Sequence, residues 1–231
     1  MDSNATAIVL AAGRGERIGG DVAKPFLEIG GRTLLAHSID RLRSSEVVRE
    51  IVVVVSRPIQ EWLGPNWEDR LKEEGADRTV LGGARRQDSS FAGFEAADEN
   101  SEIILVHDAV RPFVSPALVR KVAEAAAEYG AAVPAMPAVD SVKEGVGGFL
   151  VRSIPRALVY LTQTPQGFRR SLMARMFKEV AAADIDVSDD AEMAEIAGIK
   201  VKIVPGERLN LKVTEPEDVT VARILHRELE S

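Results

Sequence analysis

Five β-branched residues in succession, Ile51-Val52-Val53-Val54-Val55, constrain this chain more than any other feature. An unbroken apolar run of strand length marks a strand buried on both faces, and such strands belong to parallel sheets covered by helices. A strand with one wet face would alternate instead. Ala7-Ile8-Val9-Leu10 and Ile103-Ile104-Leu105-Val106 repeat the signature, and Leu34, Leu35, Ile39 and Leu42 fall at helical spacing between the first two runs. Strand, helix and strand in that order form a βαβ unit.

The alternation predicts a helix near 59–74, a short strand at 79–81, a helix near 85–97 and, after the third run, a helix opened by Ser115-Pro116 and running to about Tyr129. Pro134, Pro137, Gly145, Gly147 and Gly148 then remove any helical period between Ala131 and Pro155, which reads as an extended hairpin arm, centred on 138–155. Helices near 170–183 and 188–197, a strand at 201–204 and a last helix capped by Thr214 with Glu217 complete the chain. The expectation is an α/β fold in one domain spanning 1–231, with a Rossmann-like, mostly parallel sheet and helices on both faces. An arm that leaves strand edges open suits pairing with a second copy, so a homodimer is expected.

Composition excludes several alternatives. A net charge of -7 provides no long-range attraction to nucleic acid or anionic lipid, and no apolar run is long enough to span a bilayer. The absence of cysteine removes disulfides, thiolate metal sites and a cysteine nucleophile. The short polar start, Met1 to Thr6, is unlike a signal peptide, which makes a cytoplasmic location the default expectation.

An anionic ligand would therefore have to meet local positive charge. The segment Leu10-Ala11-Ala12-Gly13-Arg14-Gly15-Glu16-Arg17-Ile18-Gly19-Gly20 follows the first strand, and its small residues let backbone N–H groups approach a phosphate. Ile18 breaks the dinucleotide fingerprint, and Asp21-Val22 after Gly20 breaks the Walker pattern. What remains is a glycine-rich turn with Arg17 and Lys24, whose charge-assisted bonds suit a nucleoside triphosphate and its leaving pyrophosphate. Gly82-Gly83-Ala84-Arg85-Arg86-Gln87-Asp88-Ser89-Ser90 opens a helix at a strand's carboxyl end. There Asp88 or Ser89 serves either a ligand or the first helical turn.

His107-Asp108-Ala109-Val110-Arg111-Pro112 follows the third strand. Asp108 is placed to hold Mg²⁺ near phosphates or to accept from a sugar hydroxyl, and His107 is read as structural. Arg156 with Gln163-Thr164-Pro165-Gln166 reads, on its own, as a strand entering a turn, and Lys212 as a loop cation.

In order, Ala11-Ala12-Gly13 with Arg17 and Lys24, Gly82-Gly83 to Ser89, His107-Asp108-Ala109 with Arg111-Pro112, Arg156 with Gln163 to Gln166, Ser188-Asp189-Asp190-Ala191 and Asn210 to Thr214 resemble the cytidylyltransferase family that activates sugar-alcohol phosphates. The likeness is greatest to its branch acting on 2-C-methyl-D-erythritol 4-phosphate, and it covers nearly the whole chain. It implies transfer of CMP from CTP with release of pyrophosphate, Mg²⁺ as the divalent cation, and a homodimer with an exchanged arm. By position, Ala11, Ala12, Gly13, Gly83, Ser89 and Ala109 would contact the nucleotide, and Arg17 and Lys24 would stabilise the transition state at the α-phosphate. Arg156 and Lys212 would position the attacking phosphate monoester, with Asp108, Arg111, Thr164 and Ser188 around the acceptor. The chain departs from the family's usual residues at Pro25, at Ala84, where an acidic residue is common, and at Ser188, where Thr is commoner. Rival readings are the same chemistry on ribitol 5-phosphate, a nucleotide-sugar glycosyltransferase, which usually carries Asp-x-Asp, and a non-catalytic nucleotide-binding regulator.

Overall fold

Val52, Val53, Val54 and Val55 lie fully out of solvent, as a run without alternation requires. The structure, a computed structural model, describes residues 4–12 and 22–230. Chain order begins with β1 (Ala5–Ala11), the short ladder β2 (Glu28–Ile29) and β3 (Arg32–Thr33), α1 (Leu34–Arg43), β4 (Val48–Val55), α2 (Arg57–Leu63), α3 (Trp67–Glu73) and β5 (Arg78–Leu81). It continues through α4 (Arg86–Ala96), β6 (Ile103–Asp108), α5 (Pro116–Tyr129), β7 (Ala131–Pro137), β8 (Val142–Val146), β9 (Phe149–Ile154), β10 (Tyr160–Thr162) and β11 (Gln166–Arg169). The last elements are α6 (Arg170–Ala183), α7 (Asp190–Ile196), β12 (Lys202–Pro205) and α8 (Pro216–Glu230).

The main sheet has the order β10-β7-β11-β6-β1-β4-β5, and β12 pairs with β7. β5, β4, β1 and β6 run parallel, with Val9 opposite both Val53 and His107 and Val55 opposite Leu81. Their carboxyl ends therefore meet at one edge, where ligands bind in open α/β sheets. Alternate residues feed two cores. Val9, Val53 and Leu105 pack with α1, α2, α3 and α5, whereas Ile8, Val54 and Val106 pack with α4, α6 and α7. Each such buried side chain stabilises the fold by about 1.5–3 kcal/mol relative to exposure.

Several sequence expectations change. The helix expected near 59–74 is two helices, because Gly64 ends α2 at φ 85 and Pro65 follows. The arm is shorter than the proline and glycine pattern suggested: Ala131–Pro137 is a strand of the main sheet, paired with β12, β11 and β10. Only β8 and β9 form the separate hairpin. β11 runs antiparallel to β6 and to β7, so the sheet is mixed on this side. The cap of α8 also differs, since the carboxylate that accepts from the Thr214 and Glu215 N–H groups belongs to Asp218, not Glu217. No described helix is long and apolar enough to cross a membrane.

Candidate active site

The parallel carboxyl edge opens into a cleft of about 540 Å³ lined by Ala11, Ala12, Lys24, Gly83, Arg86, Ser89, Asp108 and Lys212, among others. Ala11 closes β1 with Ala12 directly after it, and Gly83 follows β5. A Cβ on Gly83 would lie 2.3 Å from the Asp88 Cβ, so any larger residue would push this turn away from the first turn of α4. Asp88 is thereby explained as structural, since its carboxylate accepts from the Arg85 N–H at 3.1 Å, whereas Ser89 lines the cleft.

Pro25 does not disorganise the approach to Lys24. It is buried in a 3₁₀ turn over Lys24–Phe26 that its fixed φ favours, and Phe26 packs on Trp62 with ring centroids 5.2 Å apart. Lys24 Nζ donates to the Thr214 carbonyl oxygen at 2.7 Å. The ammonium is thus held across the cleft mouth against the segment that carries Lys212.

Asp108 organises the floor. Its Oδ2 accepts from Lys212 Nζ at 3.1 Å and from Arg111 Nε at 3.3 Å, while Arg86 Nη2 stands 3.9 Å from Oδ1. Burial by itself would raise the carboxyl, but Lys212, then Arg86 and Arg111, outweigh it and hold it at about 2. Behind it, the Asp108 N–H donates to Thr164 Oγ1 at 3.0 Å, and Thr164 in turn meets His107 Nδ1 at 3.0 Å. That arrangement leaves Nε2 to carry the ring proton toward the Arg111 carbonyl oxygen at 3.3 Å. Burial first, and Arg111 after it, lower His107 to about 4 despite the neighbouring Asp108, so the ring is neutral at physiological pH. Asn210 ties in the last segment. Its Nδ2 donates to the Thr164 carbonyl oxygen at 2.9 Å, and its own carbonyl oxygen accepts from Arg111 Nη1 at 2.8 Å.

The sequence reading left Arg86 and Asp190 out of the site. Arg86 Nη1 bonds the carboxylate of Asp190, which is fully buried at the start of α7. Burial opposes the Arg86 charge, yet Asp190 and Asp108 more than compensate and hold its value above the ordinary one. Arg86 stood in plain view in the second glycine loop, but nothing in the pattern distinguishes it from Arg85, which pairs with Asp88.

The structure brings Ala11, Ala12, Lys24, Gly83, Ser89, Asp108 and Lys212 to the cleft wall. Ala109, Arg111 and Thr164 sit behind it: the Ala109 N–H donates to the Leu10 carbonyl oxygen at 3.1 Å, and the other two brace Asp108. Arg156 is exposed at the root of the hairpin and donates to the Val139 carbonyl oxygen at 2.8 Å. Ser188 is also exposed and gives its N–H and hydroxyl to Glu192. It does not cap α7, because Asp189 accepts the Glu192 N–H at 3.0 Å. Gly13 and Arg17 lie outside the described residues.

Asp108 does not suit a divalent cation, since a metal there would face the charges of Lys212, Arg111 and Arg86 together. Among the described residues no three His, Cys, Asp or Glu side chains converge as a metal cage.

A family model described as 2-C-methyl-D-erythritol 4-phosphate cytidylyltransferase matches residues 5–228. The chain is 37% identical over 217 residues to the 2-C-methyl-D-erythritol 4-phosphate cytidylyltransferase of Pelotomaculum thermopropionicum, covering 94% of this chain and 91% of that protein. The crystal structure of 4-diphosphocytidyl-2C-methyl-D-erythritol synthase from Anaerococcus prevotii matches with a TM-score of 0.82 at 32% identity, over 98% of this chain and 100% of that one. The 2-C-methyl-D-erythritol 4-phosphate cytidylyltransferase of Thermus thermophilus matches with a TM-score of 0.79 at 34% identity, over 95% and 98%.

Proposed function

The chain belongs to the 2-C-methyl-D-erythritol 4-phosphate cytidylyltransferase family, and from that premise we propose that its cleft joins CTP to 2-C-methyl-D-erythritol 4-phosphate and releases pyrophosphate. The observation that carries this reading is the convergence of Lys24, Lys212 and the glycine turn at Gly83 on one cleft. An acceptor phosphate oxygen attacks the α-phosphorus of CTP, forming the new P–O bond as the bond to the pyrophosphate oxygen breaks. A phosphate monoester needs no general base near neutral pH, so the task is alignment and neutralisation of two anions. A neutral, buried His107 agrees with that requirement.

Ala11, Ala12, Gly83 and Ser89 form the nucleotide wall, and Lys24 meets the charge developing toward the leaving group. By the family resemblance, Gly13 would add to the nucleotide contacts and Arg17 to the charge at the α-phosphate. Lys212, tethered by Asp108, faces the acceptor phosphate. Ala109, Arg111 and Thr164 act from behind, as the frame that orients Asp108. Mg²⁺ would enter on the triphosphate oxygens rather than on Asp108.

Arg156 and Ser188 do not reach this cleft within one copy. The hairpin beside Arg156 exposes Phe149 at 79% and Leu150 at 76%, an apolar surface that a second copy would cover. In such a homodimer Arg156 serves the acceptor side of the partner's cleft.

Pyrophosphate release measured with each of the four NTPs, Mg²⁺ and either 2-C-methyl-D-erythritol 4-phosphate or ribitol 5-phosphate tests the assignment. CTP with the methylerythritol acceptor should be turned over fastest. Turnover with ribitol 5-phosphate alone, or preference for UTP, would overturn it, and binding of CTP without any turnover would favour a regulator.

A further inference from the structure

Asp190 is the one fully buried carboxylate among the described residues. Its place at the start of α7 does not account for it, because the adjacent Asp189 already caps that helix. A buried carboxylate costs several kcal/mol unless paired, and Asp190 reaches only Arg86: its Oδ1 has no hydrogen-bond partner among the described residues. Asp190 does not line the cleft, but Arg86 does.

The Arg86 guanidinium stands between two carboxylates, bonded to Asp190 through Nη1 and held 3.9 Å from Asp108 through Nη2. Asp108 keeps its closer contacts for Lys212 and Arg111, at 3.1 and 3.3 Å. A planar, always charged fork shared in this way goes to whichever carboxylate is nearer and drier. We propose that Asp190 is a positioning residue that draws Arg86 away from Asp108, so that Asp108 remains free to hold Lys212 toward the acceptor phosphate. Without the Asp190 charge, Arg86 closes on Asp108 Oδ1 and the one carboxylate is shared among three cations, which weakens its hold through Oδ2 on Lys212, whose side chain is 46% exposed and free to swing into solvent. The inference rests on the reading of Lys212 as an acceptor-side cation.

The test is steady-state kinetics on the full chain, varying the acceptor at saturating CTP. Asp190→Asn should raise the acceptor KM about tenfold, the loss expected for one misplaced charge-assisted bond, with a smaller change in the KM for CTP. Combining it with Arg86→Gln should return the acceptor KM to within about threefold of the wild type, because the competitor for Asp108 is then gone. A merely structural Asp190 gives a double variant at least as impaired as the single one, which overturns the proposal. An unchanged acceptor KM in Asp190→Asn does so as well. Should Asp190→Asn not fold, the double variant, which leaves no unpaired charge buried, decides alone by the same threefold limit. Lys212→Ala run in parallel separates the two readings: if it leaves the acceptor KM unchanged, the acceptor role of Lys212 has failed, whereas a raised KM there beside an unchanged Asp190→Asn refutes the positioning role only.

Discussion

Asp108→Asn removes the charge on which the cleft floor is organised, and its cost follows from the surroundings. The carboxyl falls from 3.8 to about 2, which at roughly 1.4 kcal/mol per pH unit is about 2 kcal/mol of native-state stabilisation. The sign follows from a folded value below the unfolded one. The contribution is complete above about pH 4 and lost as pH falls toward 2. For a domain of this size, about 2 kcal/mol lowers the melting temperature by roughly 4–8 °C. Calorimetry of wild type and variant at pH 7 should show that drop, and the gap should narrow on acidification from pH 4 toward 2. The same variant should weaken acceptor binding, because Lys212 loses its tether. A variant that melts within a degree of the wild type at pH 7, or a gap that persists at low pH, would refute the account of Asp108 as the counter-ion of Lys212, Arg86 and Arg111.

Lys24→Ala should lower kcat by about a hundredfold with the fold intact, as for other donors aimed at transition-state charge; rapid-quench measurement of CMP transfer checks this, and an unchanged rate removes Lys24 from the chemistry. Arg156→Ala and Lys212→Ala should each be poorly active alone, yet mixed after co-expression they should recover about a quarter of wild-type turnover, since half the dimers are mixed and each has one intact cleft. No recovery would place Arg156 in its own copy's site. His107 is held at about 4, below its ordinary value, so the folded chain binds fewer protons than the unfolded one between about pH 6.5 and 4, and acidification through that window should cost about 3 kcal/mol. Urea denaturation of His107→Gln should show a flatter pH dependence over that window. An equal slope in wild type and variant would contradict a neutral, buried ring.

The strands of the sheet's centre were legible in the sequence because burial on both faces writes itself as uninterrupted apolar runs, and Ile51–Val55 needed no partner to be recognised. The glycine turn after β5 was legible for a similar reason, since close backbone approach demands Gly83 wherever the rest of the chain lies. The path of Ala131–Pro137 was not. Its prolines are compatible with a loop, an arm or a strand, and only the arrival of β11, β10 and β12 beside it selects the strand. Gln166–Arg169 is too short to declare that it runs antiparallel to β6.

The site divides along the same line. Residue type brought Lys24 and Asp108 forward as candidates, whereas Lys212 read on its own as a loop cation and became a candidate only through the order of the motifs. Tertiary structure alone decided which cations share Asp108, which neighbouring residues brace it from behind, and that Arg156 stands outside the cleft. It also joined Arg86 to Asp190 across 104 positions of sequence. Local pattern reports what a residue can do and what its neighbours along the chain require, whereas an ion pair between distant segments exists only once the sheet has brought their ends to one edge.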